Sequence, residues 1–266
     1  MKAAVYHRFG GPEVLQVVEV PEPKMFADQV RIRIKAAALN PADLGFQAGA
    51  ADALVDSFFP VIPGWDVAGI VAEAGIGTTG FKPGDEVIGF VRGAIQRYGC
   101  YAEQIAAEPR QLARKPANLD WGQAAGLPLA GLTAYQAVVC ALDVREGETA
   151  LVHGAAGGVG HLAVQIAAAR GASVIGTASE PNHGYLRSLG VQPAAYGDGL
   201  ADRVRALAPR GVDAVLDTAG RGALAITRHI GTPDVRAASV ANSNEHPGTR
   251  QVFRSEERRV GKECVP

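Results

Sequence analysis

Residues 153–160 read His-Gly-Ala-Ala-Gly-Gly-Val-Gly, a run of small side chains between an apolar stretch and a helical one. Small residues at such a junction let backbone N–H groups and the positive end of the following helix approach a pyrophosphate. Against the spacing G-x-G-x-x-G, Ala155 takes the first glycine place, and Gly157 and Gly160 take the second and third. The pattern carries weight only in context. Here residues 149–153 form a short apolar strand candidate before it, and Val159, Leu162, Ala163, Ile166 and Ala167 recur at helical spacing after it. The competing reading is a glycine-rich turn that serves only close packing of helix on strand.

The choice of dinucleotide turns on the end of the next strand, where an acid about 20 residues beyond the turn would bind a ribose 2′-hydroxyl. The run there is Gly176-Thr177-Ala178-Ser179-Glu180. Ser179 holds the place expected for the acid, and Glu180 lies one place later, in poor register. A small polar residue at that place leaves room for a 2′-phosphate, which His183, Arg187 or Tyr196 would contact. NADP is therefore favoured over NAD, and the preference reverses if Glu180 reaches the ribose.

Two textures of chain must position these residues. In the first, Val30, Ile32 and Ile34 alternate with Arg31, Arg33 and Lys35, a period of two that gives a strand one apolar and one solvated face. Gly10-Gly11-Pro12, Pro21-Glu22-Pro23, Pro63-Gly64 and Lys82-Pro83-Gly84-Asp85 break this region into short strands and tight turns. From about Pro116, short apolar runs alternate with helical stretches. Strands are expected at residues 149–153, 173–177, 194–196, 212–216 and 235–240, with helices after residue 158 and over 182–189 and 200–207, and Gly171 as a helix C-cap glycine. Such a β-α-β rhythm predicts a parallel sheet with helices on both faces. No internal repeat or low-complexity linker is visible.

The 266 residues carry 26 Lys and Arg against 27 Asp and Glu, a formal net charge of -1. Nothing in that balance draws the chain to nucleic acid or to an anionic membrane. The hydrophobic share of 47% excludes general disorder. Cys100, Cys140 and Cys264 are too few and too scattered for a disulfide scaffold or a four-cysteine zinc lobe. The apolar start ends at His7 and Arg8, too short for a signal peptide, and residues 127–142 contain Pro128, Gly131 and Gln136 and fall short of a membrane span. A soluble, reducing, cytoplasmic setting is the expectation.

The glycine turn is preceded, in order, by Asn40-Pro41-Ala42-Asp43, by Phe59-Pro60-Val61-Ile62-Pro63-Gly64-Trp65-Asp66-Val67-Ala68-Gly69, by Gly84-Asp85-Glu86-Val87 and by Gly131-Leu132-Thr133-Ala134-Tyr135. Over about residues 1–250 this ordered set resembles the medium-chain dehydrogenase/reductase superfamily, in its zinc-independent quinone oxidoreductase-like branch. The resemblance implies an N-terminal GroES-like β-barrel catalytic domain, placed at residues 1–115, and a doubly wound NADP-binding Rossmann domain at residues 116–253, with the active site in the cleft between them. It implies that Asn40 and Asp43 line the substrate side, that Thr133 lies near the nicotinamide, and that Gly157, Gly158 and Val159 meet the pyrophosphate. Zinc-dependent members carry a Cys near the segment that reads Leu39-Asn40-Pro41 here, and a His-Glu pair where this chain has Trp65-Asp66. No cysteine cluster lies between Arg92 and Lys115, so no metal is expected.

Each of these residues also has a plainer reading. Asn40 starts a turn before Pro41, Asp43 is a helix N-terminal cap or charge, Asp66 holds a loop through backbone hydrogen bonds, and Tyr135 packs in an apolar helix. Without a Lewis acid, hydride transfer from NADPH to a quinone or an α,β-unsaturated carbonyl fits better than alcohol oxidation, because the conjugated carbonyl takes up the charge. An enoyl-type reductase of acyl thioesters and a catalytically silent NADPH-binding redox sensor are the alternatives. No residue stands out as proton donor.

The last stretch, residues 254–266, has no match to the family and looks like translated sequencing adapter. A non-native tail is therefore expected there, with a Rossmann domain cut short of its sixth strand and return segment. The sixth strand commonly pairs across a dimer in relatives, and a full-length homodimer is expected. The chain as it stands should then expose a sheet edge and dissolve poorly; a soluble, monodisperse dimer on light scattering would contradict this.

Overall fold

A computed structural model describes residues 1–53, 55–220, 222–241 and 248–252. The reading of residues 254–266 as an added tail lies outside the described residues. The chain divides into two compact units, Met1–Leu129 and Ala130–Pro266.

The first unit contains β1 (Lys2–Val5), β2 (Gln16–Glu19), β3 (Val30–Ala36), helix α1 (Pro41–Gln47), β4 (Asp66–Ala74), β5 (Glu86–Phe90), β6 (Gln104–Ala107), β7 (Leu112–Arg114) and helix α2 (Trp121–Ala125). β1 and β2 form a two-stranded antiparallel ribbon, and the other five strands form an antiparallel sheet in the order β6-β3-β4-β5-β7. The alternation read in β3 is realised: Val30 and Ile32 enter a core with Val67, Val71, Val87, Ile105 and Ala107. On the opposite face Arg31 pairs with Glu22 at 2.9 Å and Glu73 at 3.0 Å, while Arg33 and Lys35 are exposed. Residues 116–129 belong to this unit because Ala124 and Ala125 of α2 bury against Ala68 and Ile88.

The second unit follows a helix that straddles the division, α3 (Pro128–Tyr135), which continues as a π-helical turn over Gln136–Ala141. Then come β8 (Thr149–His153), α4 (Gly158–Ala169), β9 (Ser173–Ala178), α5 (His183–Ser188), β10 (Gln192–Ala195), α6 (Leu200–Leu207), β11 (Val212–Asp217), α7 (Thr227–Ile230), β12 (Gly231–Ser239) and β13 (Arg250–Gln251). All pairings are parallel, in the order β10-β9-β8-β11-β12-β13. Strand residues alternate between two cores. Ala150, Val152, Val174, Ala214 and Leu216 pack with α4 and α5 residues such as Ala163, Val164 and Leu186. Leu151, Ile175 and Val215 pack with Leu200 and Val204 of α6 and with Ile230. The sheet is thus covered on both faces, as the β-α-β rhythm required.

Three details depart from the expectations. β12 starts at Gly231, not Val235, and its register jumps from Val212↔Gly231 to Ala214↔Arg236, so only its second part has the regular pattern that sequence reveals. A sixth strand, two residues long, is present within the described residues: Arg250 and Gln251 pair with Ala238 and Ser239. Tyr135 is 47% exposed and not a core residue, because α3 and the turn after it bury the small residues Ala130, Ala134 and Ala137 on their inner face. Among the described residues, no helix is long and apolar enough to cross a membrane.

Gly160 marks the tightest junction. A Cβ there would collide with the carbonyl oxygen of Gly154 and lie 2.8 Å from the Ala155 Cα. Gly160→Ala should therefore cost about 2–3 kcal/mol in urea unfolding, since backbone must move on both sides of the contact.

Candidate functional site

Each unit carries its own cluster. In the parallel sheet, β8 lies between β9 and β11, and chain connections depart from it in both directions. Ligands of open α/β sheets bind at such a switch point, outside the carboxyl ends of the strands. The glycine turn leaves β8 at that place. Gly154 adopts φ +71°, so the left-handed residue of the turn stands one place before Ala155, which is fully buried. The N–H of Gly157 donates to the Gly154 carbonyl at 2.9 Å, and Gly157 then caps α4 in extended conformation. The N–H groups of Gly158, Val159 and Gly160 have no acceptor among the described residues, and a Cβ on Gly158 would meet nothing within 4 Å. Three unsatisfied donors at the start of a twelve-residue helix, beside open space, fit a diphosphate.

The residues proposed for the ribose side lie after β9, except Tyr196, which follows β10. Ser179 precedes a 3-10 turn over Glu180–Asn182, and the Asn182 amide donates to its Oγ at 3.0 Å. The His183 Nε2 lies 3.2 Å from the Ala178 carbonyl, which folds the ring back onto the strand end. Arg187, in the last turn of α5, is exposed and its guanidinium makes no hydrogen bond or ion pair among the described residues, and Tyr196 is also exposed after β10. Glu180 points into solvent as an exposed side chain. Thr133 sits on α3, half-buried.

In the first unit, Asn40 and Asp43 come together at the start of α1. Pro41 opens the helix, and the Asp43 carboxylate reaches back to accept from the Asn40 N–H at 2.8 Å. The Asn40 side-chain Nδ2 donates to Asp66 Oδ2 at 2.9 Å, and Asp66 Oδ1 accepts from the Leu129 N–H at 2.8 Å. The capping role of Asp43 is realised, whereas Asp66 holds the start of α3 through one backbone N–H and the Asn40 side chain instead of a loop, all within one buried network. Sequence reading missed its fourth member: the Tyr101 hydroxyl lies 2.8 Å from Asp43 Oδ2 and 3.1 Å from the Ala38 carbonyl. The only local hint is Gly64 at φ +89°, where a side chain would strike the Tyr101 ring. Burial pushes the Asp66 carboxyl up to about 6, against the lowering effect of its two hydrogen bonds, and the Asp43 charge adds to the rise. Burial likewise raises Asp43, and it raises Tyr101 together with the neighbouring Asp43 carboxylate.

Two family models match the chain: the alcohol dehydrogenase GroES-like domain over residues 27–117 and the zinc-binding dehydrogenase over residues 158–254. A solved quinone oxidoreductase from Coxiella burnetii superposes with a TM-score of 0.79 at 33% identity, over 95% of this chain and 82% of that one. The chain belongs to the medium-chain dehydrogenase/reductase superfamily. Its first unit is thus a GroES-like domain and its second a Rossmann-type domain. Among curated relatives, it is 42% identical over 229 residues to an NADPH-dependent alkenal/one oxidoreductase, chloroplastic, of Arabidopsis thaliana, covering 83% of this chain and 58% of that protein. It is 39% identical over 181 residues to the human quinone oxidoreductase, covering 67% of this chain and 53% of that one. The chain therefore spans less than two thirds of the length of these curated relatives.

The description of the second family model implies zinc, and the residues here do not fit it. The Trp65 indole lies 4.8 Å from the Phe46 ring and 5.9 Å from the Phe90 ring, packed edge to face with both. Asn40 and Asp66 satisfy each other, and among the described residues no group of three His, Cys, Asp or Glu side chains is arranged to hold a metal.

The raised carboxyls set a pH dependence. Asp66 holds its proton in the folded state up to about pH 6, whereas the unfolded carboxyl ionises near 3.8, so the folded state binds more protons between these values. Stability should therefore fall as pH rises from about 4 to 6, by on the order of 3 kcal/mol, and then level off. Asp43 contributes with the same sign. Urea midpoints across this range should show the fall, and Asp66→Asn should flatten it.

Proposed function

We propose that this protein transfers a hydride from NADPH to a quinone or an α,β-unsaturated carbonyl compound, without a catalytic metal. The observation that carries the reading is the glycine turn at the switch point of the parallel sheet, with three N–H groups that have no acceptor among the described residues and open space at Gly158. NADPH supplies the hydride when bound, and the conjugated carbonyl of the substrate takes up the developing charge. The chain's own residues do the holding. Gly157, whose own N–H is turned to the Gly154 carbonyl, leaves room for the diphosphate, and Gly158 and Val159 offer it their N–H groups. Ala155 and Gly160 let helix and strand close beneath it, and Ser179 leaves space for the 2′-phosphate. His183, Arg187 and Tyr196 flank that space, and Arg187 offers a guanidinium not engaged elsewhere among the described residues. Thr133 serves the nicotinamide side.

Asn40 and Asp43 serve the substrate side. Asp66 fixes the Asn40 amide through its Nδ2, and Tyr101 stands against Asp43, so the polar groups are oriented before any substrate arrives. Asn40 and Trp65-Asp66, standing where zinc-dependent relatives carry ligands, support reduction of an activated π-system over oxidation of an alcohol. The activities for which the Arabidopsis and human relatives are named agree with such an electron-poor acceptor.

Loss of NADPH absorbance with a panel of quinones, enones and acyl thioesters tests this. Turnover of quinones or enones, faster with NADPH than with NADH, is the expected result. Turnover of thioesters alone would assign an enoyl-type reductase, and tight NADPH binding without turnover would assign a redox sensor.

A further inference from the structure

We propose that Thr218 and Thr177 are positioning residues for the diphosphate, pinning the turn between β8 and α4 from both flanking strands. The proposal rests on the dinucleotide reading above. From β9, the Thr177 Oγ1 accepts from the Gly154 N–H at 3.1 Å and the Thr177 carbonyl accepts from the Ala155 N–H at 2.9 Å. From the far end of β11, the Thr218 hydroxyl donates to the His153 carbonyl at 2.6 Å, with the Gly154 carbonyl at 3.3 Å.

These bonds lie beyond what the sheet needs. The β-ladders already pair Val152 with Gly176 and His153 with Asp217. Beyond them the Thr177 hydroxyl acts on the turn at Gly154, and the Thr218 hydroxyl acts on the junction of β8 and the turn, where the His153 carbonyl also accepts the Thr218 N–H at 3.2 Å. Thr218 is itself held in place. The buried carboxylate of Asp217 accepts from the N–H groups of Ala219 at 2.9 Å and Gly220 at 2.7 Å, and its other oxygen accepts from the Ser239 hydroxyl at 3.1 Å. Gly154 is thus fixed on both sides in its left-handed conformation, and its carbonyl turns to receive the Gly157 N–H that launches α4. The direction of the free N–H groups follows from that geometry.

The test compares NADPH with adenosine 2′-monophosphate, which keeps the adenine and 2′-phosphate but has no diphosphate. Thr218→Val should weaken NADPH about tenfold and leave adenosine 2′-monophosphate unchanged, and Thr218→Ser should restore NADPH binding to within about twofold. Thr177→Val cuts the opposite bond and carries the same expectation if Thr218→Val does not fold. Equal loss for both ligands, or no loss for NADPH, overturns the proposal while leaving the cofactor reading intact. Failure of the unsubstituted protein to bind NADPH overturns that reading and the proposal with it.

Discussion

The closeness of the Gly160 Cα to the Gly154 carbonyl governs the second unit. It lets α4 start directly against the end of β8, and from that start the helix lays Ala163, Val164 and Ala167 onto Val152 and Val174 of the sheet. The same approach explains other small residues nearby. A side chain on Gly176, on the neighbouring strand, would come within 2.7 Å of the Ala155 Cβ, so the close packing runs across two strands. A larger residue at any of these places would lift the helix from the sheet and move the donors at its first turn. Packing and ligand geometry are therefore one constraint here, and the two readings of the glycine run in the sequence are not rivals.

The first unit meets a different demand. Among its buried polar groups are two carboxylates, Asp43 and Asp66, with Asn40 standing between them. The Asn40 backbone N–H serves Asp43 and its side-chain amide serves Asp66, so one residue reconciles charges that would otherwise repel in a poorly solvated place. Next to Asp66 in the chain, Trp65 packs edge-on to Phe46 and Phe90 and is itself buried.

Much of this was legible in the sequence wherever the signal is local. The alternation in β3, the apolar runs of β8, β9 and β11 and the turn glycines before α4 all write their structure into neighbouring residues. What escaped depends on distance along the chain. Tyr101 meets Asp43 across 58 positions, and Thr218 meets His153 across 65. Neither threonine sits in a motif; each is one polar residue at the end of an apolar strand. Tyr135 was misplaced because apolar composition says that a helix is buried without saying which face. The two-residue β13 escaped because so short a strand has no period, and it exists only through its pairing with Ala238 and Ser239. Asn40 and Asp43 were legible as a pair, and their dependence on Asp66 was not.

The strand order gives the turn a protected place in the hierarchy of motions. Its anchors come from β8 and from the two strands beside it, while β10 and β13 close the sheet at its edges. Edge strands open first in local unfolding, and the centre opens last. Fraying at either rim would therefore leave the ligand's seat undisturbed, and its shape would persist until the centre of the sheet itself gives way.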